Sequence, residues 1–101
     1  MTDTQMDLEH LRSSVDAIDE QIVDLLNTRA LLAIKMGQVK KSMNLPLQDL
    51  NRESDVRANL QRLCAGHALN QSDLNSIYES IMKACLRVQQ TADCDASCPE
   101  L

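Results

Sequence analysis

The chain has 101 residues, of which 44% are hydrophobic, 25% charged and 1% aromatic, with a formal net charge of −5. That length suits one domain, and a lone domain so short buries only a modest core, so self-association is expected at the outset. The acidic balance and the lack of aromatic side chains other than Tyr78 exclude the basic, stacking face of a nucleic-acid binder, and no apolar stretch approaches the ~20 residues of a membrane-spanning helix.

An all-α fold is expected. The chain has only two Gly and two Pro and is rich in Leu, Ala, Gln, Met, Arg, Lys and Glu, the good helix formers. The segment from Met1 to His10 is polar and has no apolar h-region, so no signal peptide and a cytoplasmic setting are expected. The cysteines, Cys64, Cys85, Cys94 and Cys98, follow no zinc-ligand spacing, so free thiols in a reducing cytosol and no metal site are expected.

The first element is a helix over about Met6 to Met43. Leu8, Leu11, Val15, Ile18, Ile22 and Leu25, then Leu32, Met36, Val39 and Met43, follow a three-four spacing, a heptad seam. Pro46 blocks its continuation. Such a rod is roughly 50 Å long, and two shorter helices cannot cover it. The remaining seam therefore calls for a second chain, and a homodimer is expected. The second helix runs from about Asp49, its N-cap, to Ala65, with Val56, Leu60 and Leu63 as its buried stripe and Gly66 as its stop. The third runs from Gln71 or Ser72, with Ser72 as cap, to Gln90. Its inner stripe is Leu74, Ile77, Ile81, Cys85 and Val88. The domain thus spans 6–90, and 91–101, with Cys94 and Cys98, reads as a disordered tail.

The informative residues break the stripe. Arg29 occupies a seam position, where a charge is costly unless paired or bound to a ligand; it either snorkels out, sets the register, or grips something. Lys40 lies eleven residues on, on the same face and ~16 Å along the axis, a spacing at which the two cations can hold both ends of a small anion. Gly37 lies between them and costs ~1 kcal/mol relative to Ala; either a helix or a ligand approaches its backbone. Arg12 is roughly 25 Å from Arg29 on the same rod and cannot join that site within its own chain. In an antiparallel dimer with its dyad near residue 23 it can. Asp49, Arg52 and Glu53 cluster at the start of the second helix, where capping and helix-dipole chemistry account well for Asp49 but poorly for Arg52, and a surface pair with Arg57 is one reading of Glu53. Gln89 follows Cys85 by one turn. His10 and His67 have no evident partners, and no nucleophile, phosphate-loop or dinucleotide motif is present.

These residues carry a resemblance. The run Leu11-Arg12-x-x-Val15-Asp16-x-Ile18-Asp19-x-Gln21-Ile22-Val23-x-Leu25-Leu26-Asn27-x-Arg29 resembles the first helix of the all-helical chorismate mutases. The likeness continues through Gly37-x-x-Lys40, Pro46-Leu47-x-Asp49-x-x-Arg52-Glu53 and Ile81-Met82-x-x-Cys85-x-x-x-Gln89. The resemblance implies an intertwined antiparallel homodimer that converts chorismate to prephenate, in phenylalanine and tyrosine biosynthesis, by a concerted Claisen shift without cofactor. Arg29 and the partner chain's Arg12 would bind carboxylates. Lys40 would contact a carboxylate and the ether oxygen, and Gln89 would donate a second hydrogen bond to that oxygen. Glu53, with the backbone near Asp49, would hold the ring hydroxyl, and Arg52 would support the wall. Cys85 stands where the family often has Ser, and its thiol is a weaker donor. Two other readings compete: an isochorismate–pyruvate lyase on the same fold, and a non-catalytic helical dimer or regulatory module.

Overall fold

A computed structural model describes residues 2–94. It consists of three helices, α1 (Thr2–Ser42), α2 (Leu50–Leu63) and α3 (Gln71–Cys94), and no strand among the described residues. The C-terminal half of α1 packs on α3, and α2 packs on α3 as well. Arg29 meets Tyr78 and Cys85 while Gly37 meets Gln89, so α1 and α3 run in the same direction where they touch.

α1 begins earlier than its apolar seam, because Thr2 to Gln5 contain no helix breaker. It ends by a mechanism the position of Pro46 did not reveal. Asn44 adopts a left-handed φ of 59°. The Leu45 N–H then reaches the Lys40 carbonyl at 2.8 Å and the Asn44 N–H the Lys41 carbonyl at 3.0 Å, the paired bonds of a Schellman cap. α2 starts as expected: Asp49 is extended, and its carboxylate accepts the Arg52 N–H at 3.0 Å. Gly66, with φ at 76°, turns the chain after α2.

Two sequence expectations for α3 are corrected. Its cap is Asn70, not Ser72: the Asn70 side chain accepts the Asp73 N–H at 2.8 Å, and Asp73 accepts the Asn70 N–H at 3.3 Å, a reciprocal capping arrangement. The helix also continues past Gln90 to Cys94, with the Thr91 hydroxyl donating back to the Arg87 carbonyl at 3.0 Å. Residues 95–101, which hold Cys98 and most of the expected tail, lie outside the described residues.

Little of this chain is buried. Ala33, Gly37, Leu60, Cys85 and Gln89 are buried, whereas every described side chain from 4 to 28 is exposed. The whole seam from Leu8 to Leu25 faces solvent, and Leu63 and Ile77, expected in the inner stripes, are exposed as well, each at 46%. The Cα radius of gyration is 18.2 Å, against about 13 Å for a compact domain of this length. The extents are 62 × 35 × 14 Å, so the chain is little more than one helix layer thick, where a stable domain stacks two.

Candidate active site

The three helices and the α1–α2 connection border an open cavity of about 670 Å³. Its walls include Arg29, Lys40, Asp49, Arg52, Glu53, Cys85 and Gln89. Residues widely separated in the chain are thus gathered in one place. Arg12 is not among them. It sits on the exposed half of α1, where its guanidinium lies 3.6 Å from Glu9.

Local folding explains the position of each side chain. Arg29 does not snorkel away: its Nη1 donates to the Cys85 Sγ at 3.1 Å, and its guanidinium carbon lies 5.9 Å from the Tyr78 ring centroid. Thiol and ring aim the cation into the cavity, and the ring face adds a cation–π attraction. The Lys40 ammonium donates to the Leu47 carbonyl at 2.7 Å, which ties the end of α1 to the loop leading into α2. Two of its three N–H donors remain for a ligand.

Gly37 resolves its two readings in favour of packing, but the packing serves the site. A Cβ there would stand 3.2 Å from Gln89 Cγ and 3.3 Å from Gln89 Cβ. The glycine therefore makes room for the stem of Gln89. Gln89 is 7% exposed, and its Oε1 is buried and accepts no hydrogen bond among the described residues. A buried amide without a partner costs about 1–3 kcal/mol and is rare in a finished structure. Here it lines a cavity wall, and a half-turn of the amide presents either its acceptor or its donor.

Glu53 is held from two sides. Gln48 Nε2 donates to its Oε2 at 3.2 Å, and Arg57 Nη2 lies 3.7 Å from its Oε1. Arg57 in turn donates through Nε to Glu79 on α3 at 2.7 Å. That hydrogen bond, ahead of the charge attraction, raises the Arg57 pKa and lowers that of Glu79.

Sequence reasoning missed Gln48, Tyr78 and the Arg57–Glu79 link. Tyr78, the sole aromatic, was the one available signal; the other two depend on how α2 crosses α3. Four cations (Arg29, Lys35, Lys40, Arg52) face two carboxylates (Asp49, Glu53) around the cavity. In a chain of net charge −5, that local positive excess suits a small anion and draws it in. Among the described residues no group of three His, Cys, Asp or Glu side chains is placed to hold a metal, and no helix is long and apolar enough to cross a membrane.

The protein is an all-helical module with a cation-rich cavity between its helices. The profile of the family described as chorismate mutase type II matches residues 11–90, and the chain belongs to that family. It is 38% identical over 87 residues to a bifunctional chorismate mutase/prephenate dehydratase of Aquifex aeolicus, covering 83% of this chain and 24% of that protein. It is 29% identical to a 4-amino-4-deoxychorismate mutase of Streptomyces venezuelae, covering 84% of this chain and 82% of that one. Among solved structures, the chorismate mutase (form II) of Thermus thermophilus superposes with a TM-score of 0.79 at 25% identity, covering 82% of this chain and 93% of that chain. The chain spans about a quarter of the Aquifex relative's length.

Proposed function

We propose that this protein is a chorismate mutase that rearranges chorismate to prephenate, in phenylalanine and tyrosine biosynthesis, as an antiparallel intertwined homodimer. The observation that carries the reading is the convergence of Arg29, Lys40, Glu53 and Gln89 from three helices on one cavity. Chorismate offers two carboxylates, an ether oxygen and a ring hydroxyl, and the wall offers cations, an amide and a carboxylate.

The rearrangement breaks the C–O bond of the enolpyruvyl ether as a new C–C bond forms across the ring, with no proton or electron supplied from outside. Catalysis then consists of two things. Arg29, and Arg12 of a second copy, fix the carboxylates so that the reacting carbons meet, which converts lost freedom into rate. Lys40 and Gln89 donate to the ether oxygen as negative charge develops on it. Glu53 accepts from the ring hydroxyl beside the Asp49 backbone, Arg52 braces the wall, and Cys85 holds Arg29.

The dimer is supported by the exposed seam from Leu8 to Leu25. Each such side chain contributes roughly 1.5–3 kcal/mol when fully buried, so a second copy laid along α1 recovers a large stabilisation that one chain forgoes. A cytoplasmic setting is supported by the free thiols of Cys64 and Cys85.

The test is to mix the protein with chorismate, follow loss of the diene absorbance, and identify the product by mass and a pyruvate assay, with isochorismate in parallel. An isomer of equal mass without pyruvate is the expected result. Pyruvate released from isochorismate alone would transfer the reading to a lyase, and no turnover of either compound would leave a non-catalytic helical dimer.

A further inference from the structure

Glu53 lines the cavity, but Arg57, which pairs with it, does not. Behind Arg57 stands Glu79 on α3, its carboxylate 2.7 Å from Arg57 Nε, and the Lys83 ammonium acts on Glu79 in turn. Charge therefore alternates outward from the wall: Glu53 negative, Arg57 positive, Glu79 negative, Lys83 positive. Gln48, on the other oxygen of Glu53, is neutral. The potential that Glu53 presents to the cavity is therefore modulated from behind by Arg57, which does not line it.

We propose that Arg57, tethered by Glu79, is a specificity-determining residue that tunes the cavity toward a neutral ring hydroxyl and against a positively charged ring amine. The proposal rests on the reading that Glu53 meets the ring substituent of the substrate. A hydroxyl needs an acceptor there and is nearly indifferent to the net charge behind it. The amine of 4-amino-4-deoxychorismate is an alkylammonium at neutral pH and responds directly to that charge. Arg57 offsets Glu53, and Glu79 limits how far, because its hydrogen bond holds the guanidinium 3.7 Å from Glu53 rather than in full contact.

The arrangement predicts opposite effects from two substitutions. Arg57→Gln removes a positive charge behind Glu53 and favours the ammonium substrate. Glu79→Gln removes the competitor for Arg57, lets the guanidinium close on Glu53, and disfavours it. Arg57 and Glu79 are 40% and 49% exposed at the side chain, so each effect is about threefold to fivefold, the scale of exposed pairs, and shrinks as salt is raised.

The experiment compares kcat/KM for chorismate with that for 4-amino-4-deoxychorismate, or the inhibition constant of the latter against chorismate turnover. It uses wild type, Arg57→Gln, Arg57→Lys and Glu79→Gln. The amine-to-hydroxyl preference is expected to rise in Arg57→Gln, return to wild type in Arg57→Lys, and fall in Glu79→Gln. A merely structural role would change both substrates in parallel; unchanged preferences, or shifts of the same sign in Arg57→Gln and Glu79→Gln, would overturn the proposal while leaving the mutase reading intact. A wild type inert toward chorismate would overturn both.

Discussion

The Cα of Gly37 faces the stem of Gln89 so closely that a methyl group there would stand 3.2 Å from Gln89 Cγ. The contact is with the near end of the side chain, which has little freedom to move aside. Gly37→Ala gains up to ~1 kcal/mol of helix propensity, yet displaces the amide that lines the cavity. We expect a melting temperature no lower than wild type by more than a few degrees and a kcat lower by roughly tenfold to a hundredfold, the scale of a misplaced catalytic group. Circular dichroism and the chorismate assay check this, and an unchanged kcat would detach Gly37 from Gln89's role.

Gln89 is a neutral amide, so its donor is present at every pH in the working range. Activity is expected to be flat from about pH 6 to 8, since no carboxyl need be protonated. In Gln89→Glu the same wall position carries an acid that donates only when protonated, and burial disfavours its charged form. Its activity should fall on the order of a hundredfold between about pH 5 and 8. A pH profile of that variant matching wild type would remove Gln89 from the reaction.

Lys40 has both a structural and a catalytic assignment. Its hydrogen bond to the Leu47 carbonyl can be kept by an uncharged donor, whereas stabilisation of the ether oxygen needs the charge. Lys40→Gln is therefore expected to melt near wild type but lose ~10²–10³ in kcat, as for other lost oxyanion donors. Lys40→Ala should lose the rate and loosen the α1–α2 connection as well. A rate within threefold of wild type in either variant would contradict the assignment.

Cys85 accepts from Arg29 through sulfur, a weak acceptor and donor. A hydroxyl there forms a stronger bond. Cys85→Ser should lower KM for chorismate by about fivefold, equivalent to ~1 kcal/mol for one improved hydrogen bond, with kcat within about twofold. Steady-state kinetics decide it, and a raised KM would mean that Cys85 is fitted to the cavity as a thiol.

The Arg57–Glu79 pair gives a signed acid dependence. The hydrogen bond from Arg57 lowers the Glu79 pKa; desolvation opposes it as the next largest effect, and the charges of Arg57 and Lys83 add smaller lowering contributions. A depressed carboxylate contributes stability that is present above its unfolded value of about 4.3 and lost as pH falls through the lower folded value. The melting temperatures of wild type and Glu79→Gln should differ at pH 7 and converge below about pH 4. A gap that persists undiminished into acid would show that the pair does not link α2 to α3 in solution.

Periodicity made the helices legible. The spacing from Leu8 to Val39 marks α1, and Asp49 marks the start of α2, because both signals are local. A charge that interrupts the apolar pattern pointed to Arg29, its eleven-residue spacing on the same face pointed to Lys40, and the ordered motif gave Glu53, Cys85 and Gln89 their roles. Other features were hidden for physical reasons. Ser72 and Asn70 are both good caps, and only the backbone geometry chose Asn70. Asn44 ends α1 by adopting a left-handed conformation that a sequence does not display. Thr91 to Cys94 carry no large apolar side chain in register with the inner stripe, so the last turn of α3 had no pattern to show it. The Arg57–Glu79 contact joins residues 22 apart in sequence, and arises only from the crossing of α2 on α3.

In the proposed dimer one active site draws Arg29 from one chain and Arg12 from another. This sharing is tested most directly by mixing two inactive variants, Arg12→Ala and Arg29→Ala, after unfolding and refolding them together. If Arg12 acts in trans, each mixed dimer regains one intact site, and with random pairing the mixture recovers about one quarter of wild-type activity toward chorismate. If the mixture stays as inactive as its components, the shared site is wrong.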